Sequence, residues 1–378
     1  MDPIELKKLN VVKLGYVDPI SKIKVKSYGL DACTEKAKEH IGWDEKRKLY
    51  QNQTGDKRRG VGYACFSYAT GVWPFAMELA GARITLSQDG TCVLTVGATE
   101  IGQGSDTVLS QIAAETIGIP FEMVSITRDT DTDISPFDPG AYASRQTYVA
   151  GQAVKKTAQS IKKKVLKRVA KKLEVKAKSI DLVDAKIIDK ASGDFIMNLK
   201  DVIVETFYDM GTASAITAEK SVSVKTNAQS FGVSVCEIEV DIKTGKVKIL
   251  DIFNVHDSGT IINPMLASGQ VEGGMSMSVG FALAETMIYH PKTGKMLNDN
   301  LLDYKLPTMM DSPDFKLDFV EPYEPSGPYG NKALGEPPAV PPAPAIRNAI
   351  AHATGVKVNA TPMNPQSLFN AFKKDGII

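Results

Sequence analysis

The chain has 378 residues and a net charge of +1, with 45 Lys and Arg against 44 Asp and Glu, which argues against nucleic acid as the main partner. A hydrophobic content of 43% beside 24% charged residues argues against disorder and leaves room for a large core in two or three domains or subdomains. No apolar run is long enough to cross a bilayer and no basic-then-apolar leader opens the chain, so a cytoplasmic protein without a membrane partner is expected.

Asp2 followed by Pro3 and IELKKLN is a helix start, and a chain that opens on a helix is expected to continue something held elsewhere. A second helix fits 30–41, and VGYACFSYA is a strand. Residues 80–99 read as a hairpin, turning at Asp89-Gly90. From Ser105 a helix presents Val108, Leu109, Ile112, Ala113 and Ile117 on one face, then EMVSITR forms a strand. A long amphipathic helix runs from about Gln146 to Glu174, with Val154, Ala158, Ile161, Val165, Val169 and Leu173 inward and a solvated lysine face outward. Residues 175–225 have no clear pattern.

Two strands, FGVSVCEIEVD and KVKILDIFNVHD, come next. A helix from about Met265 to Glu285 carries Gly269, Gly273, Gly274 and Gly280, which suggests close backbone approach. TMIYHPKTGKML reads as a further hairpin, and a final helix spans 344–353. The mixture is α+β, mixed sheets and hairpins with packed helices, in approximate subdomains 55–225 and 226–360 after a helical lead-in at 1–54.

The chemistry is concentrated in a few stretches. Cys33, Cys65, Cys92 and Cys236 form no CxxC pair, and His40, His256, His290 and His352 are scattered. No side-chain metal set, iron–sulfur motif or disulfide framework is therefore written here. IGQGSDT (101–107) joins a strand to a helix, and it is open to two readings, a capped glycine-rich turn or an anion cradle. Thr107 stands where a dinucleotide fingerprint needs glycine. Ser144, Arg145, Gln146 and Thr147 open the long helix and offer a second anion-friendly start, and two such starts would suit a ligand with several phosphates. DTDTD (129–133) fails as a calcium loop at Ile134 and Gly140. HDSG (256–259) is too compact for a hydrolase triad. In NKALGEPPAVPP (331–342) one carboxylate, Glu336, stands between a glycine and two prolines. A rigid surface turn and a loop built to hold a general base, its pKa raised by apolar neighbours, are equally open on local physics.

Six stretches together resemble the carboxy-terminal half of the molybdenum-binding subunit of the xanthine dehydrogenase and aldehyde oxidase family: DPIELKKLN, GATEIGQGSDT, DPGAYASRQTYVAGQAV, HDSGTIINP, GQVEGG and NKALGEPP. They occur in the family's order across nearly the whole chain. The resemblance implies a molybdopterin-binding fold of two subdomains and a molybdenum–molybdopterin cofactor, expected in its cytosine dinucleotide form. The metal would be held by the pterin dithiolene rather than by protein.

Carried over position by position, the resemblance makes Glu336 the catalytic base. Gly102, Gln103, Gly104, Ala143, Ser144, Arg145, Gln146, Thr147, Gln270 and Gly335 become cofactor contacts, and SYATGVW before Pro74 would line the pocket. The implied reaction is oxidative hydroxylation of an N-heteroaromatic of purine, xanthine or nicotinate type, with water as the oxygen source. An aldehyde oxidoreductase, a non-catalytic scaffold or assembly module, and a generic nucleotide-binding protein are the alternatives. Electrons would leave through Fe-S clusters to FAD on partner subunits. A full molybdenum subunit of this family is about twice this size, so either a split gene or a fragment is expected. The amino-terminal half is then a further partner in an expected hetero-oligomer, with its dimerisation left open, and the chain is expected to be inactive alone.

Overall fold

A computed structural model describes residues 1–127 and 131–378. Its elements, in chain order, begin with α1 (Pro3–Asn10), α2 (Leu30–Ile41), α3 (Trp43–Leu49), β1 (Lys57–Ala69), β2 (Leu79–Leu86), β3 (Cys92–Val96), α4 (Ser105–Ile117) and β4 (Val124–Ile126). They continue with α5 (Gln146–Lys172), β5 (Ile180–Val183), β6 (Lys186–Asp189), β7 (Phe195–Asn198), α6 (Leu199–Tyr208) and β8 (Thr217–Ser223). β9 (Gln229–Asp241), β10 (Val247–Asp257), α7 (Pro264–Leu283), β11 (Phe315–Val320), α8 (Pro342–Thr354) and α9 (Pro365–Lys374) complete the chain. None of these helices is long and apolar enough to cross a membrane.

The chain forms two compact units. The first comprises residues 1–68, 229–323 and 333–378. Its sheet runs β1-β9-β10-β11, with β9 antiparallel and β11 parallel to β10. Both faces of β9 are buried, which is why FGVSVCEIEV reads as an almost continuous apolar run rather than an alternating one. Phe231, Val233 and Val235 join Phe253 and Val255 of β10 in a core with α2 and Trp43. The alternate residues Cys236, Ile238, Val240 and Ile252 join Val271 and Met275 of α7 and Ile346 and Ile350 of α8. Each large side chain buried this way contributes roughly 1.5–3 kcal/mol.

The second unit comprises residues 69–228 and 324–332. Its main sheet runs β4-β3-β2-β8, and β5, β6 and β7 form a separate antiparallel meander. The inward stripe of α5 is buried as the spacing predicts, except for Leu173, which lies just past the helix end and is 38% exposed. Several of its outward cations are paired: Lys162 with Asp181, Arg168 with Asp209 and Lys172 with Glu205.

Two sequence readings need correction. The patternless stretch after Lys172 holds four strands and α6, whose strands of four to seven residues are too short to show a period. The TMIYHPKTGKML hairpin is a single bridge, Tyr289 to Met296, rather than two strands. The DTDTD run begins outside the described residues.

Helix α8 lies directly on β1. A Cβ added at Gly62 would sit 2.0 Å from the Ala345 carbonyl oxygen, so only glycine lets the two backbones approach. Gly62→Ala is expected to cost about 1–3 kcal/mol, the scale of overpacking a core, measured by chemical denaturation. An unchanged midpoint would mean that α8 is free to move away.

Candidate active site

In the second unit the turn between β3 and α4 is built around a residue that the motif search passed over. The Glu100 carboxylate reaches back over the GQG turn: Oε1 accepts from the N–H groups of Gly102 (2.8 Å) and Gly104 (3.0 Å). Oε2 accepts from the Asp106 N–H (3.0 Å) and the Ser105 hydroxyl (3.3 Å). Gly102 and Gly104 have φ of 98° and 84°, a left-handed conformation that glycine adopts without cost. Burial opposes ionisation of Glu100, but these donors outweigh it and hold its carboxyl below the usual range. The anion cradle at the start of α4 is thus filled by the chain's own carboxylate. The signal was available: an acid standing just before a glycine-flanked helix start is a capping residue in waiting.

What the turn presents is Gln103. Its amide donates to the Thr99 carbonyl (3.0 Å) and to the Gln146 side-chain oxygen. Gln146 donates to the same Thr99 carbonyl (3.0 Å), so the two glutamines converge on one point. Gln146 opens α5, and Arg145 at the N-cap makes no capping bond with its own side chain. Ala143 and Ser144, just upstream, have φ of 47° and 50°. Two successive non-glycine residues in this region cost roughly 1–3 kcal/mol each, a strain that clusters at functional sites. Gly71 holds the turn, its N–H donating to the Ala143 carbonyl (2.8 Å).

Arg145 points the other way. Its side chain is fully buried, and it donates to Glu78, to Asp138 (2.6 Å) and to the carbonyls of Gly140 (2.9 Å) and Leu79 (2.7 Å). Burial pushes the Asp138 carboxyl up despite the guanidinium beside it. Burial also works against the Arg145 charge, but Glu78 and Asp138 more than restore it and raise the guanidinium above its ordinary value. Arg145 therefore supports the loop that carries Ala143 and Ser144 from within.

In the first unit, ALGEPPAVPP (333–342) packs against the polar end of the sheet. Strand alternation puts Ser230 and Ser234 of β9, and Asn254 and His256 of β10, on the face that continues the α7–α8 core. The Ser230 hydroxyl donates to the Ala333 carbonyl (2.9 Å) and the Asn254 amide to the Pro338 carbonyl (3.4 Å). From the other side Gly274 of α7 admits Pro338: a Cβ there would lie 2.7 Å from the proline ring. Ser278, one turn on, accepts from the Ala343 N–H (3.0 Å) and anchors the start of α8. The close approach expected of the α7 glycines is met at Gly274 and Gly280, whereas Gly269 and Gly273 face open space beside half-buried Gln270.

Gly335 and Glu336 are exposed between buried Ala333 and the buried pair Pro337 and Pro338. Glu336 sits at φ −90°, ψ −32°, a helical conformation that a following proline disfavours. Its Oε2 accepts the hydroxyl of Tyr68, a residue of the SYATGVW segment. The apolar niche expected around Glu336 is therefore not supplied by its neighbours in this unit. Polar contacts hold the loop instead.

HDSG resolves against a triad. His256 and Asp257 alternate across β10: Asp257 accepts the Gly29 N–H (2.8 Å) on the opposite face. Burial holds His256 neutral, its pKa pushed down to about 3. Among the described residues no group of three or more His, Cys, Asp or Glu is placed to hold a metal ion.

The sequence profile of the molybdopterin cofactor-binding domain family matches residues 36–313. The chain belongs to that family. It is 45% identical to the xanthine dehydrogenase molybdenum-binding subunit of Escherichia coli O157:H7, over 100% of this chain and 50% of that protein. It is 28% identical to the nicotine 6-hydroxylase large subunit of Paenarthrobacter nicotinovorans, over 88% and 42% respectively. The fold is that of the Cu,Mo-CO dehydrogenase crystal structure, with a TM-score of 0.91 at 24% identity over 100% of this chain and 50% of that one. Quinoline 2-oxidoreductase from Pseudomonas putida 86 gives 0.90 at 24% identity, over 99% and 50%. The chain spans about half the length of these xanthine dehydrogenase and solved relatives, and corresponds to a carboxy-terminal half.

Glu100→Gln is expected to lower stability at neutral pH by about 1 kcal/mol, the scale of a lost helix cap. Because folding depresses the carboxyl's pKa, this contribution is complete above the unfolded value of roughly 4.3 and is lost as pH falls further. Denaturation midpoints of wild type and variant should therefore converge in acid, and a gap that persists there would contradict the ionised cap.

Proposed function

We propose that the chain is the catalytic, cofactor-binding half of a molybdenum hydroxylase that oxidises an N-heteroaromatic of purine, xanthine or nicotinate type. The observation that carries this reading is the 45% identity, over its whole length, to a xanthine dehydrogenase molybdenum-binding subunit. The donor set fits a pterin carrying phosphates. In the second unit the start of α5, opened by Gln146 with Gln103 hydrogen-bonded to it, is the proposed phosphate contact; in the first unit Gln270 stands beside two glycines with open space before them. Ala143, Ser144 and Thr147 shape that start, and Arg145 supports it from behind. Gly102 and Gly104 serve by setting the turn, since their N–H groups serve Glu100. The cytosine dinucleotide form is part of the proposal.

Bound, the cofactor supplies the two-electron redox chemistry of a hydroxylation whose oxygen comes from water. Glu336 accepts the proton released when that oxygen becomes nucleophilic. Its loop is anchored by Ser230 at Ala333 and by Asn254 and Gly274 at Pro338, on either side of exposed Gly335 and Glu336. An aldehyde as substrate would use the same base.

Partner subunits complete the reading: the amino-terminal half, and carriers of Fe-S clusters and FAD, in a cytoplasmic hetero-oligomer. The exposed apolar side chains of the first unit support it, among them Met277 (69% exposed), Phe281 (56%), Leu301 (78%), Met309 (94%) and Met310 (93%). Large apolar side chains left this exposed are the kind of surface that a partner covers. Turnover by the chain alone would contradict this part.

In the assembled enzyme, Glu336→Gln is expected to keep its molybdenum and pterin content and lose turnover by about two to four orders of magnitude, the scale of a lost general base. Metal analysis and steady-state kinetics on the same preparation check it, and undiminished turnover would remove Glu336 from the chemistry.

A further inference from the structure

The polar end of the first unit's sheet carries one group that addresses the Glu336 carboxylate itself rather than its loop. Tyr68 stands near the end of β1, on the strand face that carries Ala64 into the α7–α8 core. Phe66, on the same face, lies 5.5 Å from the His256 ring. Tyr68 thus extends a packed row, and its own ring is half-buried. A tyrosine has only two side-chain torsions, so a ring held this way offers its hydroxyl as a fixed point. Glu336 is the opposite case: exposed, with three torsions, on a loop that Ser230 and Asn254 hold by backbone carbonyls.

We propose that Tyr68 is the positioning residue of Glu336: its O–H donates to Oε2 and selects the one orientation in which the carboxylate can take a proton. This rests on Glu336 acting as the base. A general base works only within about 2.6–3.2 Å of the proton it takes, and a misplacement of about 1 Å can cost on the order of 100-fold in rate. Ser230, Asn254 and Gly274 place the backbone of the loop, and Tyr68 places the acid at its tip. No atom is transferred between Tyr68 and Glu336, and the phenol keeps its proton.

The test uses Tyr68→Phe, which keeps the ring and removes the donor. In the assembled enzyme kcat is expected to fall about 10- to 100-fold with KM little changed. In a Glu336→Gln background the same substitution is expected to cost nothing further, because there is no carboxylate left to orient. A second readout needs neither cofactor nor turnover. The infrared carboxylate band of Glu336, isolated by subtracting the spectrum of the Glu336→Gln chain, should shift in Tyr68→Phe, while circular dichroism and the thermal midpoint stay unchanged. Replacement of Tyr68 by 3-fluorotyrosine, which retains the donor, should keep the turnover. An unshifted band, or an equal loss in both backgrounds, overturns the assignment. Full activity of Glu336→Gln with a shifted band would instead overturn the base reading and leave the contact standing.

Discussion

A proline has no backbone N–H to donate, and this constraint decides how the loop around Glu336 is built. The run from Pro337 to Pro342 carries four prolines, and its remaining donors close a single short turn, Ala339 N–H to the Glu336 carbonyl and Val340 N–H to the Pro337 carbonyl (3.1 Å each). Beyond that turn the loop is held through its acceptors. Side chains of β9 and β10 donate to its carbonyls, a glycine of α7 receives a proline ring, and a tyrosine of β1 donates to the carboxylate. A loop secured in this way needs polar side chains on a face that is otherwise core. This explains why the apolar rows of β9 and β10 give way to Ser230, Ser234, Asn254 and His256. Buried oxygen and nitrogen atoms that find no partner within the described residues, such as Ser234 Oγ and His256 Nδ1, are the cost of that arrangement.

The second unit solves a related problem with charges. Its two helix starts lie close in sequence to acids and to an arginine, and those charges turn inward. Glu100 occupies the start of α4, and Arg145 ties the 138–140 loop to Glu78 at the head of β2. The start of α5, its arginine turned inward, is opened by Gln146, to which Gln103 is hydrogen-bonded. Neutral donors on a fixed backbone suit a large anionic ligand, because recognition then depends on shape rather than on one flexible cation.

Much of this was legible in the residues. Regular elements with a strong period were readable to within a few positions: the α5 stripe, the hairpin at Asp89-Gly90, the paired strands β9 and β10, and α8 before Gly355. The family was legible because six short motifs occur in order, which no single motif could establish. The short strands β5 to β7 were not legible, since four residues carry too little pattern. Candidate site positions could be named from the residues, but not the contacts those residues make. Arg145 looked like an anion ligand because its inward partners, Glu78 and Asp138, reach it only through the fold. Around Glu336 a surface turn and an apolar niche were equally open, and in the fold the prolines are buried while the carboxylate is exposed. Tyr68 stood inside a segment already marked as pocket-lining, 268 positions from the acid it touches, with no local signal to link them.

The central claim is that this chain contributes a pre-positioned carboxylate to a hydroxylation that draws its oxygen from water. The most direct measurement is a single turnover of the assembled enzyme on a purine substrate in water enriched in oxygen-18, under unlabelled dioxygen. The account predicts that the oxygen gained by the product carries the label. Unlabelled product would mean that the oxygen has another source, and would contradict the claim.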